Sequence, residues 1–166
     1  MFQCGDMVVY GIHGVCSIID IEDKRLDGKA ISYFVLEPAG QAGARYYIPK
    51  DNPVATSKLR KIITREDVNA LLASPKVKEN VWISDENQRK AKYRELAPHP
   101  DCAELLRNLR TLHFHKQECL AEGKKVHICD ENFMRDAERL VRTELSFALG
   151  LPQEAVAAYL QEKLEK

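Results

Sequence analysis

Histidine and cysteine carry the most chemical reach in this chain, and four of them cluster in the sequence: His115, Cys119, His127 and Cys129. His115 and Cys119 stand four apart, so on a helix they share a face. His127 and Cys129 follow a glycine turn at Gly123. Both residue types ligate zinc, and four ligands complete a tetrahedron. The spacing matches no strong zinc pattern, however, and buried cysteine is common as a plain small hydrophobe. No metal and no other cofactor is therefore expected. Catalysis is not expected either. The sequence has no nucleophile elbow, no phosphate loop and no H-E-x-x-H pair. His13 beside Gly14 reads as a turn residue, and the chain reads as a non-enzyme.

The second set of chemically useful residues suits nucleic acid. Trp82 is the single tryptophan. A core anchor is the ordinary use of such a ring. Yet it stands just before Ser84, the expected cap of a helix, and Ile83 is better placed as the apolar staple. A ring in that position can wedge at a base step. Arg89 and Tyr93 follow four apart on one helix face, with Lys90 and Lys92 beside them. Most such charges simply face water. A phosphate contact near the wedge is the alternative, with Arg89 about two turns from Trp82. Lys124 and Lys125 occupy a turn before the next helix, where a phosphate could be held at a helix N-terminus. In the N-terminal part, Lys24, Tyr46 and Tyr47 suit a protein interface. Tyr46 and Tyr47 are adjacent in a strand, so one must point out if the other points in.

These residues need elements to position them. Val8–Tyr10, Ser17–Ile21, Ile31–Leu36, Tyr46–Ile48 and Lys61–Ile63 are short runs rich in β-branched and aromatic residues. Ile19 and Ile21 alternate with Asp20 and Glu22, which predicts a half-buried strand with both isoleucines inward. Turn signals at His13-Gly14, Asp27-Gly28, Gly40 with Gly43, and Asp51-Asn52-Pro53 separate the runs. Five short strands predict an SH3/Tudor-like five-stranded β-barrel over residues 1–63. From Thr64 the pattern is helical. Thr64 is the expected cap of one helix, Ser84-Asp85-Glu86 open a second, and a third runs from about 101 to 121. A fourth starts at Asp130 with an apolar stripe of Phe133, Ala137, Leu140, Val141, Leu145 and Ala148. Gly150 should cap it, and Pro152 should open a last helix that buries Val156, Tyr159, Leu160 and Leu164. The fold class is α+β: a β-barrel, then an all-α helical bundle over 64–166.

Composition limits the function. The chain has 166 residues, 45% hydrophobic and 30% charged, a balance that suits a soluble globular protein. No apolar run reaches the roughly 18–20 residues that span a bilayer, and Met1–Asp6 has no signal-peptide character. Five scattered cysteines with no C-x-x-C fit reduced thiols and a cytoplasmic location. The net charge is zero. A free-standing DNA binder usually carries a basic excess, because phosphate contacts supply most of its affinity. Any DNA contact here should be weak, largely independent of sequence, and supported by a second partner.

The residues also resemble a known family. Gly5-Asp6-Met7-Val8-Val9-Tyr10-Gly11-Ile12-His13-Gly14-Val15 is similar to the opening of the CarD family, and Tyr46-Tyr47-Ile48-Pro49-Lys50-Asp51-Asn52 to its second barrel signature. Transcription–repair coupling factor has the same barrel. Trp82 with Arg89 and Tyr93, then Gly123-Lys124-Lys125, Asp130, Ala137–Val141 and Glu144-Leu145, resemble the family's helical half. The resemblance implies a bacterial regulator whose barrel binds the RNA polymerase β subunit, and Lys24, Tyr46 and Tyr47 are the candidates for that contact. Its location would then be the nucleoid, through polymerase. It also implies that Trp82 wedges at the upstream edge of the melted promoter bubble and favours the open complex, with Arg89, Lys90, Lys92, Tyr93, Lys124 and Lys125 as the candidates for DNA contact beside it. The alternative is a stand-alone protein-interaction module without a DNA role.

Overall fold

A computed structural model describes residues 2–164 of the chain. It divides into two compact units between Ile62 and Ile63. Among the described residues no helix is long and apolar enough to cross a membrane.

The first unit is a five-stranded antiparallel sheet of β1 (Met7–Tyr10), β2 (Val15–Leu26), β3 (Lys29–Pro38), β4 (Tyr46–Pro49) and β5 (Leu59–Lys61). Its hydrogen-bonded order is β4-β3-β2-β1-β5, so β4 and β5 are its two ends. Strands β2 and β3 form a long hairpin closed by Asp27 and Gly28, with φ of 51° and 78°. Two consecutive positive φ values match the twist of the flanking strands, which is why an Asp-Gly pair marks this turn. The core gathers Val8, Cys16, Ile18, Phe34, Leu36, Ile48 and Leu59. Burial pushes the Cys16 thiol up to about 11.

Two strand expectations are corrected. The alternation around Ile19 and Ile21 does not bury them: each is 37% exposed, and Ile18 is the buried residue. A bulge interrupts the alternation, but Ile21 pairs with the core residue Phe34, so its exposure comes from the hairpin running past the core. Ile18 pairs with Leu36 and Asp20 with Val35, so Ile19 is the extra residue that breaks the period of two. Beyond it the hairpin leaves the core, and positions 19–30 are exposed except for a half-buried Glu22. The last strand ends at Lys61, two residues before its expected end, and Ile63 instead packs against the helical core.

The second unit contains α2 (Arg65–Ala73), α3 (Glu86–Leu96), α4 (Cys102–Ala121), α5 (Ile128–Leu149) and α6 (Gln153–Leu164), a four-residue α1 (Pro53–Thr56) having appeared in the first. Thr64 caps α2 by accepting from the Asp67 N–H. Asp85, one residue later than Ser84, caps α3 by accepting from Gln88. Helix α5 starts at Ile128, before the expected Asp130, because the His127 ring is its cap. Gly150 ends α5 with φ 65°, the left-handed conformation that glycine adopts at least cost. The core joins α2, α4, α5 and α6 around Val68, Leu105, Val141, Leu145 and Val156. Tyr159, Leu160 and Leu164 of α6 pack against it as partly buried residues.

Candidate nucleic-acid interface around Trp82

The segment from Asn80 to Asp85 has no regular structure, so side chains must hold it. The Val81 N–H donates to Thr111 Oγ1 at 3.1 Å, which pins the segment to α4. The Trp82 N–H donates to Asn80 Oδ1 at 2.9 Å. The Trp82 ring is half-buried and stacks on His115 of α4, with centroids 3.8 Å apart and planes 23° from parallel. The Arg89 guanidinium lies 4.3 Å from the same ring's centre.

Arg89 is only 7% exposed. Its Nε donates to Asp130 Oδ1 at 3.1 Å and an Nη to Asp130 Oδ2 at 3.0 Å. The other Nη donates to the carbonyls of Ile83 and Ser84, each at 3.2 Å. The Tyr93 hydroxyl donates to Asp130 Oδ1 at 2.6 Å, and its ring stacks on Phe133. Asp130 is fully buried. Burial and the bond to Asp130 raise the Tyr93 hydroxyl pKa, and the same carboxylate raises that of Arg89.

This geometry revises two expectations. Arg89 and Tyr93 do share a face, but Arg89 is buried and Tyr93 half-buried on it, and their polar atoms serve Asp130 and the Trp82 segment. They are supports rather than surface groups for phosphate. The side chains that remain outside are Lys90, Lys92, Lys124 and Lys125. Lys90 pairs with Glu86 at 2.7 Å, one turn away, and so holds the Glu86 carboxyl down. Lys92 is half-buried and lines the cleft that contains Trp82. Lys124 is exposed and paired with Glu122 at 3.0 Å, and Lys125 is exposed beside it.

Sequence reasoning missed two members of the site. His115 entered as a metal ligand and is the stacking partner of Trp82. Asp130 entered as a helix start and is the buried anion. Its signal was available: Asp130, Met134, Ala137 and Val141 fall in phase on one helix face. A charge in phase with an apolar stripe needs a buried partner.

The four zinc-type residues form two close contacts, His115 with Cys119 at 3.5 Å and His127 Nδ1 with Cys129 Sγ at 3.1 Å. Among the described residues the one group with metal-ligand proximity is His127, Cys129 and Asp130. Asp130 already serves Arg89 and Tyr93, and His127 Nδ1 accepts from the Cys129 N–H. Nε2 of that ring faces Glu86 at 3.0 Å.

The buried pair makes acid stability a direct test. Burial alone would raise the Asp130 carboxyl pKa, but the bonds from Arg89 and Tyr93 outweigh it and hold it below its ordinary value. A carboxyl held down stabilises the fold above its unfolded pKa, about 3.9, and that contribution is lost as pH falls through the lower folded value. Melting of the parent should therefore fall steeply below about pH 4. Asp130→Asn should melt lower at neutral pH and show a shallower acid slope. Equal slopes for the two proteins count against the pairing.

On the sheet, Tyr47 and Tyr46 separate cleanly. Tyr47 is 42% exposed, with Lys24 Nζ 3.8 Å from its ring centre and Tyr33 edge-on at 6.4 Å. Tyr46 points to the core face and packs with Tyr10 at 5.5 Å and His13 at 4.6 Å. Lys24 and Tyr47 therefore form one outward patch, and Tyr46 lies apart from it.

Residues 2–63 match the family described as the CarD-like/TRCF RID domain. No curated protein shows a match to the chain.

Proposed function

We propose that the CarD-like/TRCF RID domain formed by residues 2–63 brings this chain to RNA polymerase, where the helical unit contacts promoter DNA. In this reading the protein is a non-enzymatic transcription regulator. Its sheet engages the polymerase β subunit, Trp82 meets the upstream edge of the melted bubble, and the open complex lasts longer. The family match carries the reading. Two observations support it. Lys24 and Tyr47 stand together on the exposed side of the sheet, a cation and an aromatic ring of the kind enriched at interfaces. Zero net charge suits a protein that borrows affinity from its tether: held at high effective concentration, Lys90, Lys92, Lys124 and Lys125 need supply only a few phosphate contacts.

The test is binding of the full chain to polymerase and to an isolated β-subunit fragment, read by biolayer interferometry. The parent should bind both. Tyr47→Ala should weaken binding by about tenfold or more, the loss expected for an aromatic anchor, without changing the melting curve, since the ring is exposed. Absence of any association between the parent and polymerase overturns the proposal and leaves a stand-alone interaction module as the better reading.

A further inference from the structure

Trp82 sits on a segment without backbone ladders, yet a side chain that meets DNA at one point needs a defined direction. We propose that Asp130 and Arg89 are the positioning residues for Trp82, a fixed anion and a planar cation that together aim the ring. The proposal rests on the reading of Trp82 as the DNA-contacting side chain, and its first measurement does not depend on that reading.

The chain of causes starts at α5. Asp130 is fully buried in phase with the apolar stripe, so its orientation is set by packing. It takes Arg89 through two parallel N–H donors, which fixes the guanidinium plane as well as its place. Once that plane is set, the remaining Nη falls on the carbonyls of Ile83 and Ser84, the two residues directly after Trp82. The guanidinium then lies 4.3 Å from the ring it has helped to place, and His115 stacks against that ring at 3.8 Å. Tyr93 adds a third donor to Asp130, so the anion is held from α3 twice. A lysine at position 89 would keep the charge but not the fork, because an ammonium has no plane to transmit. The arrangement therefore uses the shape of arginine and not its charge alone.

Trp82 is the only tryptophan, so its fluorescence reports this one site. Emission and acrylamide quenching are measured for the parent, Asp130→Asn, Arg89→Lys and Tyr93→Phe, each well below its own melting temperature. Asp130→Asn and Arg89→Lys should shift emission to the red and quench more strongly, as the ring leaves its stack. Tyr93→Phe keeps the ring packing on Phe133 and loses one bond to Asp130. It should show a smaller change in the same direction, and it decides the matter if the stronger variants do not fold. Unchanged emission and quenching in the folded variants overturn the proposal, because a purely structural pair would lower melting without moving the ring.

The second measurement is open-complex lifetime. Asp130→Asn should shorten it, and combining Asp130→Asn with Trp82→Ala should shorten it no further than Trp82→Ala alone. Additive losses would mean that Asp130 acts by some other route. If Trp82→Ala leaves lifetimes normal, the DNA reading fails, and the fluorescence still decides whether Asp130 and Arg89 set the ring.

Discussion

Replacing Arg89 with alanine should cost about 3–5 kcal/mol of folding stability, the usual result of stranding one partner of a buried ion pair. Truncation leaves Asp130 fully buried, with the Tyr93 hydroxyl as its one remaining hydrogen-bond donor among the described residues. It also removes the donors that reach the Ile83 and Ser84 carbonyls, so the segment that bears Trp82 loosens at the same time. For a chain of this size, each kcal/mol moves the melting midpoint by roughly 2–4 °C, so a fall of roughly 6–20 °C is expected. Lys90→Ala is the control. It breaks an ion pair of comparable length whose side chains are more than two-fifths exposed, and water screens such a pair. Its melting should stay near that of the parent. Thermal and urea unfolding of both variants read the difference, and a close match between them would show that burial of the Arg89 pair contributes little.

Trp82→Ala should shorten the open complex about five- to thirtyfold while the protein stays folded. Aromatic stacking on a base is worth roughly 1–3 kcal/mol. The His115 ring already stacks against Trp82, so the ring has less surface left for DNA, and the lower part of that range applies, about 1–2 kcal/mol. Each 1.4 kcal/mol is about a factor of ten, which gives the quoted loss. The fold should lose less than the roughly 3–5 kcal/mol of a fully buried aromatic, since the ring is half-buried. Lifetimes after a competitor challenge and melting curves of the same variant separate the two roles. Normal lifetimes together with a collapse in melting would make Trp82 a core residue.

Much of the architecture is legible without coordinates, because it depends on local rules. Asp27-Gly28 closes a hairpin since few other pairs tolerate two positive φ values. Thr64 caps α2 and Gly150 ends α5, since each satisfies backbone groups within its own turn. The stripe through Ala137, Val141 and Leu145 predicts the buried face of α5, since helical spacing alone brings those residues into line. Family likeness in the first 63 residues is readable for the same reason: its marks are contiguous runs.

Contacts between distant residues decided the rest. The β2–β3 hairpin runs past the core from Ile19 onward and leaves both isoleucines exposed, and nothing in that run announces the bulge or where the core ends. Tyr46 and Tyr47 are interchangeable in sequence. Only the pairing of β3 with β4 sends Tyr47 outward to Lys24 and Tyr46 inward to Tyr10. Arg89 and Tyr93 have the spacing of a shared helix face, but spacing does not say whether that face meets water or an anion 41 residues away. Sequence therefore determined the elements, their order and the likeness of the first 63 residues to a CarD-like domain, because those follow from near neighbours. Tertiary structure alone decided which cations are supports and which are surface, because a charge acquires its role from whatever distant group the fold brings to it.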